Sequence, residues 1–141
     1  MTKIDRLEDW YRTVWLCGDL RAIGNFFPPE ATETGLLPGH SLRPADFAEL
    51  VPMLMRLVTE PRFRIVQHFE SGDWLWALVH IEARSARDLR PVDITSQVAV
   101  RFQGNKFVEA YNHVDMLGFF GQIGALPAEV MALCLMGEQL G

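Results

Sequence analysis

At 141 residues, 49% apolar and 22% charged, the chain has the length and composition of one domain with its own core. Its 18 acidic and 13 basic residues give a net charge of −5, and the basic ones are scattered, which argues against a nucleic-acid surface. No apolar run is long enough to cross a bilayer, and the opening Met-Thr-Lys-Ile-Asp-Arg lacks the apolar stretch of a signal peptide, so a single cytoplasmic domain over 1–141 is expected.

Ile4, Leu7, Tyr11, Val14 and Trp15 recur at helical spacing, with Thr2 placed to cap the helix and Gly18 to end it. Asp19 heads a second short helix, Leu20 to Phe26, closed by Pro28-Pro29. Ala31 to Ser41, broken by Gly35, Pro38 and Gly39, reads as a short strand with irregular flanks. A third helix starts at Pro44 and carries Phe47, Leu50, Val51, Leu54, Leu57 and Val58 on one stripe. From Arg62 the period changes to two. Strands follow over Phe63–Glu70, Trp74–Ser85, Val92–Gln103 and Lys106–Met116, with Gly72-Asp73 and Gly104-Asn105 as hairpin turns. A helical turn near Leu117–Ile123 and an apolar helix, Pro127–Gln139, close the chain. Cys17 and Cys134 lie in helical patterns, and Cys17, with no basic partner nearby in sequence, reads as a buried packing residue rather than a nucleophile. Helices first and then a long antiparallel meander define an α+β domain, with the helices on one sheet face and a cavity between.

Strand parity selects candidate site residues. With Gly104-Asn105 as a simple two-residue turn, Phe102 faces Phe107, Val100 faces Glu109, Val98 faces Tyr111, Ser96 faces His113 and Ile94 faces Asp115. This face is the more apolar and should point at the helices, which carries Glu109, Tyr111, His113 and Asp115 inward. If Arg84 pairs with Val92, then Trp76, Leu78, His80 and Glu82 join them, and Phe63, Ile65, Gln67 and Phe69 follow across the next turn. A one-residue slip would turn His80 and Glu82 to the other side.

A carboxylate beside an imidazole in a dry pocket is a general acid/base pair, which points to Asp115 and His113 as catalytic residues. The competing reading is a structural ion pair at the sheet end. Tyr111, His80, Ser96, Trp76 and Trp15 are the candidate substrate-binding residues. No local metal-ligand spacing and no glycine-rich phosphate loop is present, so neither a metal nor a cofactor is expected. The opposite sheet face, with Thr95, Gln97, Ala99, Ala110, Asn112 and Val114, suits contact with a second copy of the chain.

The order of elements, together with Gly104-Asn105-Lys106-Phe107-Val108-Glu109, Tyr111, Asp115 and Gln122-Ile123-Gly124, resembles the SnoaL-like polyketide cyclases of the NTF2-like superfamily. The resemblance implies a cone-shaped α+β barrel: a curved antiparallel sheet with N-terminal helices packed on its concave face, and a homodimer through the convex face. It also implies a small hydrophobic, oxygenated ligand and cofactor-independent acid/base chemistry of the cyclase, isomerase or hydrolase type, with Asp115 as the proton-transfer group. The alternative function is a non-catalytic small-molecule-binding or dimerisation module, because this fold hosts both.

Overall fold

The computed structural model describes residues 1–141. Helix α1 (Lys3–Trp10) starts at Thr2, whose hydroxyl accepts from the Asp5 amide while Asp5 accepts from the Thr2 amide, a reciprocal cap. It runs into a π-helical turn, Tyr11–Leu16, then a 3₁₀ turn, Leu20–Ala22, and the short helix α2 (Ile23–Phe26). Strands β1 (Thr32–Thr34) and β2 (Ser41–Leu42) bracket a turn, and α3 (Pro44–Met55) follows with its first-turn proline. The meander is β3 (Val58–Ser71), β4 (Trp74–Ser85), β5 (Pro91–Gln103) and β6 (Lys106–Val114). Helices α4 (Met116–Gln122) and α5 (Val130–Leu135) end the chain.

The six strands form one curved sheet in the order β2-β1-β6-β5-β4-β3. Strand β1 runs parallel to β6, with Glu33 opposite Ala110, so the sheet is mixed rather than purely antiparallel. Strand β1 lies between β2, its antiparallel neighbour across the turn, and β6, some eighty positions away, and three residues are too few for a local pattern to announce the distant partner. The final helix is shorter than expected: Val130 is buried, whereas Leu135 and Met136 are exposed. Cys17 and Cys134 are also exposed, not packed.

Trp10 holds the helices to the concave face. Its indole meets Phe26, Phe27, Phe47 and Phe107 edge-on, with centroids 4.9–6.2 Å away. Lys106 donates to the carbonyls of Gly24 (3.0 Å) and Asn25 (2.9 Å), and Arg6 to that of Asn105 (3.0 Å), pinning the β5–β6 turn to the helices. At the other end, Gln122 clamps β5: its amide donates to the Asp93 carbonyl (3.0 Å) and its oxygen accepts from the Asp93 amide (2.6 Å). Ile123 is buried beside Phe119, Val92 and Ile94. Gly124 ends the helix at φ +80°, with the Arg87 guanidinium lying where a β-carbon would be. The Gln-Ile-Gly segment is thus an anchor for α4.

Candidate functional site

Two strand irregularities, one in β6 and one in β3, and the register of the β4–β5 pair decide what faces the concave side. Between Arg101–Glu109 and Phe102–Phe107, β6 contains one extra residue, Val108. This bulge reverses parity beyond the turn: Phe107 points in, and then Ala110, Asn112 and Val114 do, while Glu109, Tyr111 and His113 point out. Arg84 pairs with Pro91 and Ala83 with Val92, a slip of one residue from the expected pairing. Leu75, Ala77 and Val79 are therefore the buried set of β4, and Trp76, Leu78, His80 and Glu82 lie on the convex face. In β3, a shift between Ile65 and Gln67 keeps Phe63 and Ile65 inward and sends Gln67 and Phe69 out.

The expected inward row is therefore on the outside. Tyr111 donates to Glu109 (2.5 Å), and Arg101 donates to the same carboxylate (2.8 Å); these two bonds hold Glu109 below the usual carboxylate range. Tyr111 is raised in turn, chiefly by that hydrogen bond. His80 stands between Arg64 (2.9 Å) and Asp93 (2.5 Å), with Glu82 at 3.1 Å. Trp76 donates to Gln97 (3.3 Å). His113 is exposed opposite Gln97. Asp115 is exposed and caps α4, accepting from the Gly118 amide (2.9 Å). Of the residues expected at the site, Ser96 and Trp15 line the interior.

That interior is a cavity of about 110 Å³ between the helices and the concave face. Of its 26 lining residues 22 are hydrophobic, among them Trp10, Tyr11, Trp15 and Phe63. The polar exceptions are few, and one is an acid. Glu33 lies mid-strand in β1 and is 1% exposed. Its Oε1 accepts from the Leu36 amide (3.1 Å) and from Asn112 Nδ2 (3.0 Å). Its Oε2 is buried with no partner. Burial raises the Glu33 pKa, and the Asn112 and Leu36 hydrogen bonds only partly oppose this. Tyr11 lines the same cavity. Its phenol is raised too, first by burial and then by the nearby Glu33 charge.

The turn after β1 aims this acid. Gly35 adopts φ +104° and sits against the Asn112 carbonyl, where any β-carbon would collide. The chain can then fold back so that the Leu36 amide reaches Glu33, and Asn112 braces the same oxygen from β6. The available chemistry is that of a carboxyl group in the wall of an apolar chamber, with one of its oxygens lacking a hydrogen-bond partner. Neither Glu33 nor Asn112 is expected from parity: β1 is too short to show a period, and the β6 bulge moves Asn112 inward. The one visible sign is an acid flanked by threonines within an otherwise apolar-bounded segment, Ala31 to Leu36.

Comparison with known proteins places this architecture. The SnoaL-like domain model matches residues 7–110, and the chain belongs to that family. Its fold is that of IdmH from Streptomyces antibioticus, a proposed polyketide cyclase, with 15% identity, 88% of this chain and 99% of that chain covered, and a TM-score of 0.76. A proposed polyketide cyclase from Acidithiobacillus ferrooxidans aligns with 22% identity over 87% of this chain and 94% of its own, at a TM-score of 0.71. A Catenulispora acidiphila protein with a ketosteroid isomerase-like fold gives 15% identity, 91% and 98% coverage, and a TM-score of 0.74. No curated protein matches the chain in sequence. No helix is long and apolar enough to cross a membrane.

Proposed function

We propose that the protein is a cofactor-independent acid/base enzyme acting on a small hydrophobic ligand that carries a carbonyl, and that Glu33, not Asp115, moves the proton. The observation that carries this is the buried, unpartnered Oε2 of Glu33, the one carboxylic acid in the wall of an apolar cavity. In the simplest step, ionised Glu33 removes a proton from the carbon next to the carbonyl. The C–H electron pair becomes the enolate double bond, and the carbonyl π pair moves onto oxygen. Tyr11 donates a hydrogen bond to that oxygen, where charge develops. The proton then rests on Oε2 until it is returned, to another carbon in an isomerisation or to the alkoxide of a ring closure. A raised pKa suits both halves, since it makes the carboxylate a stronger base and lets the carboxyl hold the proton longer before returning it.

The test needs no knowledge of the natural substrate. In deuterated water, an enolisable bicyclic ketone such as 2-tetralone exchanges its α-protons slowly, and NMR follows the exchange. The protein should accelerate it. Glu33→Gln should lower the acceleration by about 10²–10⁴-fold, the usual worth of a positioned acid/base group. Tyr11→Phe should cost about 10–100-fold, a smaller loss than removal of an oxyanion-type donor usually causes. If the ketone binds and no exchange is catalysed, the domain is a binding module.

The convex face supports a homodimer. Phe69, 60% exposed, stacks on Trp76 (5.4 Å), and Tyr111, 39% exposed, stacks on Trp74 (6.3 Å). Arg64, Glu82, Asp93, Arg101 and Glu109 supply both signs of charge around these rings, so the patch can pair with a copy of itself.

A further inference from the structure

The lining of the cavity bears on the charge of what enters it. Lysine, arginine and histidine are all missing from the residues that form it, and the one carboxylic acid among them is Glu33. The hydrogen bonds from Leu36 and Asn112 Nδ2 fall on Oε1 and Oε2 has no partner, so Glu33 brings to the cavity wall either an incompletely compensated negative charge or a neutral carboxyl. An anionic ligand would meet like charge in the first case. In the second it would lose its hydration with no cation to repay it. An uncharged ligand with a hydrogen-bonding carbonyl or amide meets neither cost.

We propose that the cavity selects by charge: it takes uncharged apolar compounds with one polar end and rejects the carboxylate form of the same skeleton. This rests on Glu33 as the polar centre of the cavity but not on its catalysing a reaction.

Calorimetric titration of the whole protein with 2-naphthamide and 2-naphthoate tests it, because the two differ only at the polar end. The amide should bind at least about a hundredfold more tightly near neutral pH. In Glu33→Gln the gap should narrow by about tenfold, since the fixed charge is gone while the Oε1 contacts can persist. Should that variant fail to fold, wild-type protein read above about pH 5.5 on either side of the Glu33 titration, located by carbon-13 NMR, serves instead. Naphthoate is ionised throughout, so the gap should widen as Glu33 loses its proton. Equal binding of the two compounds, a gap that Glu33→Gln or pH leaves unchanged, or no binding of naphthamide would overturn the proposal. A charge gap without proton exchange in the 2-tetralone experiment would remove the enzymatic reading and leave this one standing.

Discussion

Burial of Glu33 raises its pKa, so folding and protonation of this one side chain are linked. Between its ordinary value, 4.5, and the higher folded value, the native state holds the proton more tightly than the unfolded chain does. The contribution to stability is thus full below the ordinary value and is lost as pH rises through the folded one. Glu33→Gln cannot titrate, so its melting temperature should fall less than that of the wild type between about pH 5 and pH 8. Parallel melting curves across that range would show that Glu33 is not desolvated. Tyr11, raised by the same burial, should resist ionisation well above the ordinary phenol range, which absorbance in the tyrosinate band would register.

At the scale of elements, the β6 bulge and the α4 cap explain why the visible motif and the cavity separate. The hairpin turns, the capped first helix, the Pro44 helix and the inward set Val92, Ile94, Ser96, Val98 and Val100 follow from period and turn chemistry. Parity fails where one residue is added, at Val108 and again between Ile65 and Gln67, because a bulge leaves no mark in an alternating pattern. Glu109, Asp115 and Gln122 look like a site because they are polar and regularly placed. They instead tie down a strand face, a helix start and a helix end. Asp115→Ala should therefore cost about 1 kcal/mol of stability through loss of the cap, measured by denaturant titration. Gly35→Ala should cost more, because both its φ and the Asn112 carbonyl oppose a side chain.

For the whole molecule, the sheet divides the work. Its concave face and the helices enclose a chamber with one acid, while its convex face carries stacked aromatics and mixed charge. The SnoaL-like family assignment fixes this frame and leaves the chemistry to the residues inside. If a second copy covers the convex face, Trp76→Glu should shift the protein to monomer in sedimentation velocity while the helical signal is retained. The cavity lies on the other side of the sheet, so naphthamide binding should survive that change.

The most direct measurement of the central claim is a carbon-13 NMR titration of the Glu33 carboxyl, assigned by comparison with Glu33→Gln. The carboxyl should titrate above the ordinary glutamate range, and an uncharged ring ligand in the cavity should move its resonance. Titration at the ordinary value, with no response to such a ligand, would contradict the account.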